Sequence, residues 1–494
     1  MAQLNPDGLW VELPSNVRIM TPGLRGEVVV HATGSDGMRG AEETRTEFLA
    51  ALEHNDMTED VTLEIKEPDE LSRAEGSRGA GGDDDMTVEV PDPGEGFAQV
   101  VLYESEDGVI SWHLPQERNT GVTTRGGGTL SYRIPRTVAV PDPDDAGAQR
   151  GILGAVGSKI IKVLTFRLLN AGAKWVGEEY GRAIEARYKL HQLVRYAPDC
   201  YTLETPQPLT PAEIGALDQG RALLVVHGTF SSAYGAFHLL PPDVFSALYQ
   251  RYGGRVFALN HPTVAFSPVE NVAGLANQLN GLGLPPLEVD VLAHSRGGLV
   301  GRVLTEQAGL GQIAGRLAVR NLVMVAAPNA GTALADVKHL GQLLDRVSTL
   351  LQLVPDNGIT DALDVILSVV KQLATGFVSG LDGLMSMNPS GQFLTRILNV
   401  PGGTDATYFA AASNFEPPTG SKLLRIARDA GTDLVFGQSH NDLVVPTEGV
   451  FTVPGANEFP IAEPLVFDAA DGVDHSGYWT QPKLAEKLAT WLPG

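Results

Sequence analysis

A chain of 494 residues with 43% apolar side chains has material for roughly two to three domains. Its single cysteine, Cys200, excludes an intrachain disulfide, and the lack of a CxxC pair or Cys/His cluster argues against the usual structural zinc site. The formal charge of −23 is uneven, with 29 acidic against 12 basic side chains in residues 1–150 and −6 left for the remainder; an acidic chain with no basic stripe is a poor match for a nucleic-acid backbone.

The chain starts MAQLNPDGLWVELPSNVRIM, with no basic stretch followed by an apolar run, so no secretory signal is expected and the reading is cytoplasmic. Apolar stretches such as residues 222–226 and the leucines around Leu350 are interrupted well before the roughly 18 to 20 residues that span a bilayer. Arginine outnumbers lysine 26 to 10, a compositional hint of a GC-rich bacterial source.

Residues 1–145 read as an acidic β-rich accessory domain, a small sandwich or barrel. Runs rich in Val, Thr, Tyr and Ile at 26–31, 60–66, 97–104, 109–113 and 129–140 are separated by Gly, Pro and Asp clusters, with one short helix at 42–52. The Gly-rich, charged segment 74–85 reads as a loop. Its Asp83, Asp84 and Asp85 lack the alternating spacing and distal Glu of a calcium loop, so no metal is assigned to them. Proline and aspartate at 141–151 mark a boundary. Residues 146–200 then read as a helical connector, with Ile160, Ile161, Leu164 and Leu168 at helical spacing. Eight basic and four acidic residues between 151 and 200 would suit an anionic membrane surface, although packing on the following domain or on the acidic one is preferred.

From Arg221 onward, continuous apolar runs at 222–226, 256–259, 289–292, 322–326, 407–412 and 464–467 alternate with helical patterns. Strands without polar alternation, spaced by helices, predict a mostly parallel sheet covered on both faces. Its chemistry belongs in the loops at the strand carboxyl ends.

One such strand, VDVL, runs into AHSRGG and then a helical pattern. This is the context of a nucleophile elbow, in which a strained turn exposes Ser295 and demands small residues, here Ala293 and Gly297, two positions to either side. With LLVVHGTFSS (223–232), VMVAAPNAGT (323–332) and MSMNPSGQFLTRILN (385–399), residues 201–494 resemble the α/β-hydrolase superfamily, specifically its lipase-like serine esterases. The resemblance implies an oxyanion hole from the N–H of Arg296 with that of Thr229 or Phe230. It makes His227, Gly228, His294 and Gly297 supporting residues, places Asn329 where a histidine is usual, and implies no cofactor. In HNDLVVPT it points to Asp442 as the acid, with Leu443 where Gly is usual. Asp405 and Asp433 are weaker acids because neither precedes such a motif. VDHSGYW supplies His475 as the base, in the loop after the last strand; His440 is its competitor.

These side chains define a mechanism. Ser295 attacks an acyl carbonyl as His475 takes its proton, and Asp442 fixes the imidazole and stabilises its charged form. The insertion at about 333–400 carries two apolar stripes, one through Leu340, Leu344 and Leu351 and one through Ile366, Val370 and Phe377. It is expected to be a helical lid, which favours hydrophobic, lipid-like esters. The same triad serves an acyltransferase, thioesterase or amidase. A further alternative is a partner-binding module in which the hydrolase fold is scaffold and the N-terminal domain recruits a protein.

Overall fold

The computed structural model describes residues 1–32, 42–70, 85–106, 108–116, 128–135, 158–168, 182, 185, 191–306, 316–351, 359–374, 380–416, 436 and 439–494. The expected boundary at 141–151 and all of the loop at 74–85 except Asp85 lie outside them. The strands are β1 (Ala2–Gln3), β2 (Val11–Leu13), β3 (Val17–Met20), β4 (Leu24–Ala32), β5 (Met57–Glu70), β6 (Met86–Pro91), β7 (Phe97–Glu104), β8 (Ile110–His113), β9 (Thr129–Ile134), β10 (Lys159–Arg167), β11 (Gln192–Arg195), β12 (Ala222–Val226), β13 (Val256–Asn260), β14 (Leu287–His294), β15 (Leu317–Val325), β16 (Thr407–Ser413) and β17 (Leu465–Phe467). The longer helices are α1 (Glu42–His54), α2 (Pro242–Arg251), α3 (Pro268–Gly281), α4 (Gly297–Glu306), α5 (Leu340–Leu351), α6 (Ile359–Ala374) and α7 (Pro482–Trp491). Two compact units divide the chain. The first holds Met1–Val176, Leu344–Phe377 and Pro418–Gly431, and the second holds Gly177–Leu343, Val378–Pro417 and Thr432–Gly494.

In the first unit an antiparallel sheet ordered β1-β4-β5-β10-β7-β8 and a smaller one ordered β2-β3-β6-β9 share an apolar core. Leu63, Val101 and Ile161 come from one sheet and Ile19, Val88 and Tyr132 from the other. The expected β runs at 26–31, 60–66, 97–104 and 109–113 fall on strands, as does 129–134 of the run 129–140, whose residues 136–140 lie outside the described residues; further strands are ones the sequence pattern does not mark. The helical reading of 146–200 is corrected at two places, since 159–167 is strand β10 and 192–195 is strand β11. The reason is burial on both faces. With β5 on one side and β7 on the other, residues 159–166 are all buried, so β10 lacks the polar alternation of a half-exposed strand and its apolar positions mimic a helix. The buried Lys162 is held by Glu59 Oε2 (2.7 Å) and Lys159 by Glu106.

The insertion contains the two apolar helices expected of it, but residues 344–377 are compact with the first unit. Trp112 N–H donates to Asp345 Oδ1 (2.8 Å) and Trp112 Nε1 to Ser348 Oγ (3.0 Å), tying β8 to α5. Asn55 donates to Asp364 Oδ1 (3.1 Å) and Lys371 to Asn55 O, tying α6 to the chain following α1. In the first unit α6 packs against α1 and β7, and Phe377 of the second stripe lies outside the described residues.

The second unit is built on a sheet ordered β11-β13-β12-β14-β15-β16-β17. All pairs are parallel except β11 with β13. All six runs expected from the sequence are strands here. β12 and β14 are neighbours, and the chain leaves β12 toward β13 but β14 toward β15, in opposite directions. That makes the carboxyl ends of β12 and β14 the switch point where an open α/β sheet leaves a crevice. Among the described residues no helix is long and apolar enough to cross a membrane.

Candidate active site

The β14–α4 turn holds Ser295 with φ 52°, a left-handed conformation that costs a non-glycine residue about 1–2 kcal/mol. Its N–H donates to Val325 O at the end of β15 (2.8 Å). Two glycines create the room. A Cβ on Gly297 would lie 2.4 Å from Val226 O, and one on Gly228 would lie 2.6 Å from Ser295 Cβ. Both are too close for any side chain. Ala293, on the incoming strand, is fully buried and accommodated.

Ser295, Asp442 and His475 meet, although 180 residues separate the serine from the histidine. His475 Nδ1 lies 2.9 Å from Asp442 Oδ2, and its Nε2 lies 3.0 Å from Ser295 Oγ. A carboxylate can only accept, so the network assigns the imidazole proton to Nδ1 and leaves Nε2 to accept from the serine hydroxyl. The other carboxylate oxygen, Oδ1, accepts from Val444 N–H (3.1 Å) and Val445 N–H (2.8 Å), while Tyr478 OH donates to Oδ2 (2.9 Å). Burial opposes ionisation of Asp442, yet His475 and these two amides more than offset it, holding the carboxyl below its ordinary range. Tyr478 is fully buried, and its role as a partner of Asp442 carried no sequence signal beyond its place in the VDHSGYW motif.

Leu443 takes the left-handed conformation that a glycine would adopt freely, at φ 82°. Its N–H donates to Asn441 Oδ1 (2.9 Å), an Asx turn that supports the loop without glycine. Thr332 Oγ1 donates to Val444 O (2.6 Å), and Asn329, in the position where a histidine is usual, donates from Nδ2 to Val450 O (2.7 Å). The segment following β15 thus braces the Asp442 loop. Of the competitors, neither His440 nor Asp405 is brought to the serine. His440 pairs through Nδ1 with Asn414 (2.8 Å) in an exposed position and Asp405 is exposed, while Asp433 lies outside the described residues.

The supporting histidines are both neutral donors. His227 accepts from His261 N–H at Nε2 (3.1 Å), which leaves its proton on Nδ1 to donate to Gly228 O (2.9 Å). His294 Nε2 donates to His475 O (3.0 Å), and burial foremost, with His475 adding to it, lowers its pKa to about 3. It therefore braces the loop of His475 as an uncharged group. At the expected oxyanion site, Phe230 also has positive φ, 54°, and its N–H is engaged by Thr263 Oγ1 (3.3 Å). No partner among the described residues is found for the N–H of Thr229 or of Arg296. The Arg296 guanidinium points away from that turn into the protein. It donates from Nε to Gly383 O (2.8 Å) and from Nη2 to Asn271 Oδ1 (3.1 Å) and Phe266 O. Burial lowers its pKa to about 10, so it keeps its charge near neutral pH. Among the described residues no three His, Cys, Asp or Glu side chains are grouped to hold a metal ion.

Residues 188–493 match a family described as a domain of unknown function, DUF7379. No curated protein matches the chain. Among solved structures, the mature lipase BlEst2 of Bacillus licheniformis is similar at 18% identity and a TM-score of 0.32, over 55% of this chain and 91% of that one. The metagenomic carboxyl esterase MGS0156 is similar at 18% identity and 0.34, over 58% and 78%. Lipase 1 of Pelosinus fermentans is similar at 16% identity and 0.32, over 55% and 98%.

Proposed function

Because the chain belongs to the DUF7379 family, whose domain has no assigned function, its chemistry has to come from the site, and we propose that it is a serine hydrolase cleaving carboxylic esters through an acyl-enzyme. The observation that carries this reading is the continuous hydrogen-bonded path from Ser295 Oγ through His475 to Asp442, with the serine on a left-handed strand–helix turn.

A serine hydroxyl alone is a weak nucleophile at neutral pH. As Ser295 Oγ bonds to the ester carbonyl carbon, its proton passes to His475 Nε2. The imidazolium that forms is stabilised by Asp442, whose charge is held by Val444, Val445 and Tyr478. The carbonyl electron pair collects on the oxygen, where the N–H groups of Arg296 and Thr229 serve as preorganised donors. Phe230, the other candidate for that role, has its N–H engaged by Thr263. His475 then returns the proton to the leaving alkoxide, which departs as the alcohol. Water, deprotonated by the same His475, attacks the acyl-enzyme and frees the acid and Ser295. Met387, a buried side chain whose Sδ lies 3.8 Å from Thr229 Oγ1, puts an apolar group beside the candidate oxyanion loop and favours a hydrophobic acyl group.

A series of p-nitrophenyl esters from acetate to dodecanoate tests the substrate class. The expected result is kcat/KM rising by about tenfold or more from acetate to a medium-length chain, since each buried methylene contributes about 0.8 kcal/mol. A profile that peaks at acetate would contradict the hydrophobic-acyl version.

A further inference from the structure

Glu185 lies more than a hundred residues before the nucleophile, in a stretch with no motif. Only 3% of it is exposed. Its carboxylate accepts from three consecutive backbone amides that follow β13: Thr263 N–H, Val264 N–H (2.8 Å) and Ala265 N–H (2.6 Å). Three amides converging on one buried carboxylate fix the path of that loop, because each would otherwise be an unsatisfied donor.

Both candidate oxyanion donors lean on this loop. On one side, Thr263 Oγ1 points its hydroxyl toward Glu185 Oε1 (3.5 Å) and accepts from Phe230 N–H (3.3 Å). That contact holds Phe230 in its left-handed conformation and fixes the Thr229–Phe230 peptide plane, next to the Gly228–Thr229 plane that carries the Thr229 N–H and is itself held by His227 Nδ1 on Gly228 O (2.9 Å). On the other side, the Arg296 side chain is bound to Phe266 O and to Asn271, which itself donates to Pro262 O (2.8 Å). Gly383 closes the frame, donating to Val264 O (2.8 Å) and accepting from Arg296 Nε (2.8 Å). A Cβ on Gly383 would lie 2.2 Å from Thr263 O.

We infer that Glu185 is a positioning residue for the oxyanion hole: by pinning the amides of 263–265 it fixes, through Thr263, the Thr229–Phe230 peptide and so holds the chain on one side of the Thr229 N–H. This rests on the ester-hydrolase reading above and adds to it a residue that touches no reacting atom. Oxyanion donors act when they are aimed at the transition-state oxygen and not at the ground-state carbonyl. Misplacing one therefore lowers kcat and leaves KM nearly unchanged.

The test compares the full chain with Glu185→Gln, Thr263→Val, Thr263→Ser and Ser295→Ala, using p-nitrophenyl butyrate and a trifluoromethyl ketone that forms a tetrahedral adduct. Glu185→Gln keeps the shape but puts an amide N–H₂ against backbone donors. It is expected to lose about 10- to 100-fold in kcat with KM within about threefold, and to bind the ketone more weakly in proportion. Thr263→Val is expected to lose kcat as well, while Thr263→Ser, which keeps the hydroxyl, retains at least half of it. A Glu185→Gln variant whose kcat stays within about twofold, or whose loss lies wholly in KM, overturns the inference. If Glu185→Gln fails to fold, the two Thr263 variants decide, and equal kcat in both overturns it. A wild-type enzyme that depends on Ser295 but is indifferent to Glu185 sinks this inference alone. Turnover that survives Ser295→Ala sinks the hydrolase reading and this inference with it.

Discussion

Ser295→Ala is expected to lower kcat/KM for a p-nitrophenyl ester by about 10⁴- to 10⁶-fold, leaving only what binding and the oxyanion donors supply. The hydroxyl is the sole group at this turn that His475 Nε2 can activate. Stability separates from activity here. Alanine keeps a Cβ at φ 52°, so its melting temperature should stay close to that of the wild type. Ser295→Gly removes the Cβ from a left-handed position and is expected to be equally inactive yet more stable by about 1 kcal/mol, less the entropy that glycine gains in the unfolded chain. Calorimetry and ester turnover on both variants check this. An active Ser295→Ala enzyme contradicts the assignment of the nucleophile.

Asp442→Asn should come second in size, with kcat falling about 10⁴-fold at neutral pH. The direction follows from the hydrogen bonds. Because Oδ1 receives two backbone N–H groups, the amide oxygen of an asparagine must occupy that position, which turns its N–H₂ toward His475 Nδ1 and Tyr478 OH. A donor facing Nδ1 selects the tautomer with its proton on Nε2, and that nitrogen can no longer take the proton of Ser295. The fold should persist, since the shape is conserved. Turnover within about tenfold of wild type would show that the Asp442–His475 contact does not set the tautomer.

Much of this site was legible in the sequence because its chemistry is local to motifs. The strand–turn–helix around Ser295 carries its own signature, and so do the small residues that the turn requires. Asp442 was indicated by the likeness of HNDLVVPT to the acid loop of the family the sequence resembles, and His475 by its place in VDHSGYW after the last predicted strand. What escaped depends on tertiary contacts with no periodic or compositional trace. Thr263 and Glu185 matter only because β13 ends beside the loop that follows β12. Tyr478 is one aromatic among several until its hydroxyl meets Asp442. Phe230 and Thr229 could not be told apart until the hydrogen bond from Phe230 to Thr263 was seen. The errors of fold have a related origin. β10 is buried on both sides, so its apolar run carries no alternation, and the apolar stripes of α5 and α6 announce burial without saying which unit provides it. The acidic load of the first 150 residues likewise marks a β-rich unit, with some of its buried charge paired, as in Lys162 with Glu59.

The central claim is that Ser295 is an activated nucleophile, and covalent labelling tests it most directly. The folded full-length protein is incubated with a fluorophosphonate probe, digested, and the adduct mapped by mass spectrometry. One adduct per chain is expected, on Ser295 and absent from Ser295→Ala. A folded protein that remains unlabelled, or that is labelled at a different serine, would contradict the account.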